Sequence, residues 1–206
     1  MTGWIQRYQS RVSTAEKAVR AIQPGMRVFL TGNCSVPQRV MATLVEYAPA
    51  FDRPIEIVQV LTIGSADYVA PAMEKYIRVN TLFISADVRK AVNEGRADFT
   101  PIFLSEIPGL FRTGIVPLDV ALIHVSPPDE HGFCSFGVEV GVTKTAAGRP
   151  RWSLPKSTTK CRARWATALS TSPSLLTLFR YRTRCPSTAW AKSPTLKKRL
   201  APTAPP

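Results

Sequence analysis

Hydrophobic positions between Ser13 and Val125 follow two alternating spacings, one typical of amphipathic helices and one typical of buried strands. Apolar residues recur every three or four positions after Ser13, which with Glu16 forms a predicted capping box, and again after Pro37. Short runs rich in β-branched residues separate these helices. The predicted strands are residues 27–31, 55–61, 77–84 and 119–125, and further helices are predicted over 87–94 and 103–111.

This alternation of strands and helices predicts repeated βαβ units. Most of the predicted strands are nearly continuous apolar runs, which is typical of strands buried on both faces. We therefore expect residues 1–146 to form an α/β domain with an open, mostly parallel sheet and helices on both faces.

Charge divides the chain into two unequal parts. The whole chain has a formal net charge of +13 and a pI of about 10.1. Residues 1–147 contain 14 basic and 14 acidic side chains, whereas residues 148–206 contain the other 13 basic side chains and no acid. The charge that suggests nucleic-acid binding for the whole chain therefore belongs to the tail alone.

The four cysteines show no close C-x-x-C pair, and a domain of this size has no need of a disulfide framework. The first residues contain no apolar stretch of signal-peptide length, and no run approaches the length of a membrane span. These features lead us to expect a cytoplasmic protein.

Three segments carry a family resemblance: residues 97–108 (ADFTPIFLSEIP), 117–123 (PLDVALI) and 125–137 (VSPPDEHGFCSFG). The Ser-Pro-Pro-Asp-x-x-Gly block directly after a predicted strand is the most distinctive of them. In this order they resemble the N-terminal domain of the acetyl-CoA hydrolase/transferase family, which includes 4-hydroxybutyrate and acetate CoA-transferases. The resemblance covers residues 1–146.

The resemblance implies a two-domain enzyme that holds an acyl-CoA thioester between its domains and needs no permanently bound cofactor. A glutamate attacks the thioester, and a glutamyl-CoA intermediate then passes the group to a carboxylic acid, or to water in a hydrolase. In the family this glutamate belongs to the second domain. The resemblance also implies a homodimer for the intact enzyme, no specific nucleic-acid partner and no membrane partner.

Candidate substrate-binding residues follow two predicted strands. The segment Gly32-Asn33-Cys34-Ser35-Val36-Pro37 lies between a strand and a helix, where α/β folds commonly bind ligands and where the family places its acyl-binding loop. Alternatively, Gly32 is there only because the turn between the strand and the helix requires glycine for its geometry. The predicted substrate and CoA ligands are Gly32, Asn33, Cys34, Pro37, Ser126, Pro127 and Gly132.

Other chemically active residues favour structural roles. Asp129-Glu130-His131 resembles a metal-binding or hydrolytic cluster, but a Pro-Pro turn with charged surface residues explains it as well, and no metal is predicted. His124 is interpreted as a core or interface histidine. Glu106 and Glu139 are poor substitutes for the nucleophile, since neither has glycine-rich surroundings. Cys34 and Cys134 are expected to be buried thiols.

The tail from Gly148 onwards resembles text translated in the wrong frame. When the third base of each codon is joined to the first two bases of the next, residues 162–171 permit Arg-Ala-Leu-Gly-Asp-Ser-Phe-Ile-His, and the unique codon of Trp165 forces the glycine. The shifted reading contains acidic residues again, and the order of its residues resembles that of the family. We therefore expect residues 147–206 to be a frame-shifted, disordered tail, and the chain to lack catalytic activity on its own.

The sequence is also compatible with two other functions. The basic tail is compatible with weak, salt-dependent nucleic-acid binding, although it contains no recognisable reading module. Alternatively, the chain is a CoA-binding half whose partner domain is encoded separately, as in those CoA-transferases that divide their halves between two chains.

Overall fold

A computed structural model of the chain describes residues 13–126 and 135–147, together with the backbone of residues 166–171 and 174–180. The strands are β1 (Arg27–Leu30), β2 (Ile55–Gln59), β3 (Ile77–Thr81), β4 (Ala97–Phe99), β5 (Val120–Val125), β6 (Ala166–Thr171) and β7 (Ser174–Arg180). The helices are α1 (Ala15–Val19), α2 (Gln38–Tyr47), α3 (Ala86–Asn93), α4 (Ile107–Thr113) and α5 (Thr143–Ala147). Within these segments no helix is long and apolar enough to cross a membrane.

The strands form one sheet in the order β4-β3-β2-β1-β5-β7-β6. The first five run parallel to one another, as predicted, and β7 and β6 add antiparallel strands beside β5. The α/β class predicted from the sequence is thereby confirmed. The prediction of a disordered tail differs from the structure over β6 and β7, where the run Ser-Leu-Leu-Thr-Leu-Phe-Arg has Thr and Phe at alternate positions, two residue types that favour strands.

Two hydrophobic layers cover the parallel strands, because successive strand residues point to opposite faces. On one face Val28 and Leu30 belong to a core with α1, α2 and Ala91 of α3. On the other face Phe29 packs with α4 and α5, and its ring meets that of Phe111 edge to face at a centroid distance of 5.6 Å. Both faces of the central strands are therefore buried, which accounts for their nearly continuous apolar sequence.

Several element boundaries differ from the predictions for local reasons. The N-cap of α1 is Thr14, whose hydroxyl accepts a hydrogen bond from the backbone N–H of Lys17, and not Ser13. Helix α4 begins at Ile107 instead of residue 103, because residues 104–106 form a turn, and it ends at Gly114 in the left-handed conformation. Strand β4 is an edge strand of three residues that periodicity does not predict.

Candidate functional site

The carboxyl ends of β1 and β5 lie where the chain direction divides, and we call the region between the two connections that follow them the crevice. After β1 the chain leads to α2 on one face of the sheet, whereas after β5 it leads to α5 on the other face. These neighbouring strands therefore diverge at their ends, which is the topological switch point where open α/β sheets bind ligands. Five of the seven predicted ligand residues lie in the described parts of these two connections: Gly32, Asn33, Cys34, Pro37 and Ser126.

The loop after β1 is fixed tightly against the loop after β2. Asn33 forms an isolated parallel bridge with Thr62, and its backbone N–H donates to the carbonyl oxygen of Leu61 at 2.6 Å. A Cβ at Gly32 would collide with this same carbonyl oxygen, so this position requires glycine. The structural reason for Gly32 is therefore established, and it also brings backbone to the mouth of the crevice.

Asn33 links the two sides of the crevice through its side chain. Its backbone is left-handed, with φ of 50°, a conformation that asparagine tolerates better than most residues. Its amide nitrogen donates a hydrogen bond to the carboxylate of Glu139, which lies in the connection between β5 and α5. Sequence reasoning assigned Glu139 no role at this site, because nothing local relates it to Asn33.

Cys34 and Pro37 occupy different environments in the same loop. Cys34 is exposed, which corrects the expectation of a buried thiol; it lies beyond the end of β1, where the chain has already left the sheet. Pro37 is buried and precedes the first turn of α2, which contains no acidic residue and no side-chain cap. The partial positive charge of this helix end is thus not neutralised by its own sequence.

A buried polar cluster lies beneath the loop after β2. The hydroxyl of Tyr68 donates to Oε1 of Gln59 at 2.7 Å and also lies 3.3 Å from the hydroxyl of Thr62, and all three side chains are buried. Burial raises the pKa of Tyr68, although its hydrogen bonds to Thr62 and Gln59 act in the opposite direction. Because Thr62 pairs with Asn33, this cluster supports the crevice from below. The only sequence signal for it is a glutamine at the end of an apolar strand.

Ser126, directly after β5, is hydrogen-bonded to Ser135 further along the same connection. Its backbone N–H donates to the carbonyl oxygen of Ser135 at 2.8 Å, and its hydroxyl accepts from the backbone N–H of Ser135 at 2.9 Å. The predicted ligands Pro127 and Gly132 lie between these two serines, outside the described residues. The same holds for Asp129, Glu130, His131 and Cys134.

The remaining candidates lie apart from the Asn33–Glu139 contact. His124 is half-buried on β5, and Glu106 occupies the N-cap position of α4. In the described segments no group of three or more His, Cys, Asp or Glu side chains is arranged to hold a metal ion.

An apolar rim extends along the carboxyl edge of the sheet beside the crevice. Large hydrophobic side chains are exposed in the segments that end or follow β2, β3 and β4, with exposed fractions between 43% and 73%. The rim consists of Ile63, Phe83, Phe99, Phe103 and Leu104. A concentration of exposed apolar residues on one edge is typical of an interaction surface.

Comparison with known proteins identifies relatives of this domain. The N-terminal domain of the acetyl-CoA hydrolase/transferase family matches residues 4–151. A 4-hydroxybutyrate coenzyme A transferase of Clostridium kluyveri is 41% identical over 144 residues, which are 70% of this chain and 33% of the relative. A succinyl-CoA:acetate/propanoyl-CoA:succinate CoA transferase of Fasciola hepatica is 41% identical over 141 residues, or 68% of this chain and 29% of the relative.

Solved structures show the same fold. A 4-hydroxybutyrate CoA-transferase from Porphyromonas gingivalis superposes with a TM-score of 0.54 and 31% identity over 70% of this chain and 32% of that chain. RipA from Yersinia pestis gives a TM-score of 0.62 at 22% identity, over 70% of this chain and 36% of that chain, and supports the fold alone. The chain thus spans about a third of the length of the relatives it matches.

Proposed function

The chain belongs to the acetyl-CoA hydrolase/transferase family, and from this we propose that it is the N-terminal part of a CoA-transferase or acyl-CoA hydrolase. The substrates are acetyl-CoA or a similar short acyl-CoA and a carboxylic acid, and the reaction proceeds through a glutamyl-CoA intermediate. The attacking glutamate lies in a second domain outside this chain.

The divergence of the connections after β1 and β5, which defines the crevice, is the observation that carries this proposal. Gly32 brings backbone to its mouth, and Asn33 and Cys34 lie at its edge, with Cys34 exposed. We assign substrate and CoA binding to Gly32, Asn33, Cys34, Pro37, Ser126, Pro127 and Gly132. The uncapped first turn of α2 after Pro37 suits the negative charge of a CoA phosphate or of an acyl oxygen.

The apolar rim supports a second domain as the missing part of the site. Five large hydrophobic side chains exposed along one edge are costly in water, and a domain that covers them would also close the crevice above Asn33. In this proposal the tail after residue 147 replaces that domain through a frame slip. The intact enzyme is a cytoplasmic homodimer, and coenzyme A is its substrate, not a resident cofactor.

Neither Glu106 nor Glu139 is the nucleophile in this proposal. Glu139 accepts a hydrogen bond from Asn33, and Glu106 lies at the start of α4. We therefore expect the 206-residue chain to bind a short acyl-CoA without turning it over. Calorimetric titration with acetyl-CoA measures binding, and chromatography with mass detection measures acyl exchange between acetyl-CoA and a carboxylic acid.

Three results are informative. Binding without exchange supports the proposal, and binding should weaken in Gly32→Ala, where a Cβ forces the loop to move. Exchange by the chain alone, or a CoA adduct on Glu106 or Glu139, contradicts a nucleophile in a second domain. Sequencing across the codons for residues 140–206 and on to the next in-frame stop tests the frame slip separately.

A further inference from the structure

Glu139 is held in place at the mouth of the crevice. Its partner Asn33 is fixed by main-chain contacts to Leu61 and Thr62, so the amide that donates to the carboxylate has a defined position. The two residues are 106 positions apart and lie in the two connections that diverge at the switch point. The carboxylate therefore faces the region where a ligand of this crevice binds.

Two exposed aliphatic residues flank Glu139 in the sequence, and no cation compensates its charge among the described residues. Its neighbours Val138 and Val140 are exposed to 77% and 50%. Among the described residues no Lys or Arg nitrogen lies within 4.0 Å of Glu139, whose side chain is half-buried. A bound group in this position would meet aliphatic carbon, a hydrogen-bond acceptor and a full negative charge.

We propose that Glu139 sets the charge preference of the acyl site: it admits uncharged short acyl groups, alkyl or hydroxyalkyl, and disfavours acyl groups with a second carboxylate. This inference rests on the proposed function and narrows its substrate class. Alkyl groups pack on Val138 and Val140, and a hydroxyl donates to the carboxylate of Glu139. A second carboxylate meets a like charge, and at about 4 Å in water this repulsion alone weakens binding on the order of fivefold.

Butyryl-CoA and succinyl-CoA form a matched pair of probes, because they have the same four-carbon acyl length and differ in a terminal methyl or carboxylate. The 206-residue chain is titrated with both thioesters by calorimetry. We expect it to bind butyryl-CoA more tightly. Glu139→Gln keeps the shape and an acceptor for Asn33, and should tighten succinyl-CoA binding about fivefold while butyryl-CoA changes less than about twofold. Glu139→Lys should shift the preference further towards succinyl-CoA.

Glu74→Gln is the matched control, since it removes the same charge from an exposed position that precedes β3, at the opposite edge of the sheet. It should leave the succinyl-to-butyryl ratio unchanged. An unchanged ratio in both Glu139 variants, with folding verified by circular dichroism, overturns the role of Glu139 but not the proposed function. Absence of binding for either thioester in the unsubstituted chain overturns the proposed function, and this inference with it.

Discussion

The hydroxyl oxygens of Thr31 and Thr143 lie 3.0 Å apart, and both side chains are buried where the end of β1 meets the start of α5. The contact spans 112 positions in the sequence and ties the two sides of the crevice together below Asn33 and Glu139. A polar pair in this position does not add hydrophobic stability. It fixes the orientation of α5, because any movement of the helix that separates the two threonines would leave a buried hydroxyl without a partner, which is costly.

Thr143→Val should destabilise the domain by about 1–3 kcal/mol, because valine keeps the shape but leaves the Thr31 hydroxyl buried without its partner. Urea denaturation followed by circular dichroism gives the free energy of unfolding. Thr31→Val should cost a similar amount, and the double variant should cost clearly less than the sum of the two single changes. Strictly additive costs would show that the two hydroxyls do not depend on one another.

Gly32→Ala should destabilise the domain by more than about 1 kcal/mol, because the new Cβ collides with the backbone oxygen of Leu61, which cannot move as a side-chain end does. Gly109→Ala in α4 is the matched control. It meets no atom within 4 Å, and alanine favours a helix, so stability should be unchanged or rise by up to about 1 kcal/mol. Thermal unfolding of both variants decides the comparison. Equal effects would contradict the close approach of the two loops.

Tyr68→Phe should cost about 1–3 kcal/mol, because Oε1 of Gln59 loses a buried hydrogen-bond donor. Tyr47→Phe is the control: this half-buried tyrosine packs edge to face on Phe51 at 5.5 Å, and the phenylalanine keeps that contact. Its free energy of unfolding should change by less than about 0.5 kcal/mol.

The raised pKa of Tyr68 also predicts a dependence on pH. Since the folded state holds this proton to higher pH than the unfolded state, the contribution of Tyr68 is fully present below pH about 10 and is lost as the pH rises from there through the folded pKa. Denaturation curves at high pH should therefore show a decline in stability that Tyr68→Phe reduces. An identical decline in both proteins would contradict the assignment.

The fold was predictable from the sequence where burial leaves a local pattern. The run from Ile55 and the run before Val125 are apolar because both faces of the sheet are covered, and both form parallel strands. Short edge elements such as β4 leave no such pattern, because three residues with one buried side chain cannot show a period. The capping side chain shifted from Ser13 to Thr14 because adjacent hydroxyl residues are equivalent by propensity.

The candidate site was predictable only in part. Gly32 and Asn33 follow a strand and precede a helix, which marks a ligand loop in this class of fold. The contact between Asn33 and Glu139 depends on strand order, which brings the connections after β1 and β5 to the same crevice. No local pattern encodes a pairing over 106 positions. The contact between the hydroxyls of Tyr68 and Thr62 spans only six positions, but it depends on the path of the loop after β2, which periodicity does not predict.

The ion pair between Arg78 and Asp98 joins β3 to the edge strand β4 on the partly open face of the sheet, with a nitrogen–oxygen distance of 2.5 Å. The hydrogen bond from Arg78 holds the pKa of Asp98 below its ordinary value. A carboxyl whose folded pKa is lowered stabilises the fold above its unfolded pKa, and the contribution disappears as the pH falls through the folded value. Because both side chains are substantially exposed, the effect on stability should stay within about 1 kcal/mol.

Arg78→Gln should therefore raise the pKa of Asp98 towards the ordinary carboxyl value of about 3.9, as measured by an NMR titration of the side-chain carboxyl. The stability difference between the two proteins should shrink as the pH falls from about 4 through the lowered folded pKa of Asp98, below which Asp98 is protonated in both. Arg89→Gln on α3, which packs against the opposite face, should leave the pKa of Asp98 unchanged. If Asp98 titrates at the same pH with and without Arg78, the guanidinium is not what stabilises its charge, and the ion pair does not contribute to holding β4 beside β3.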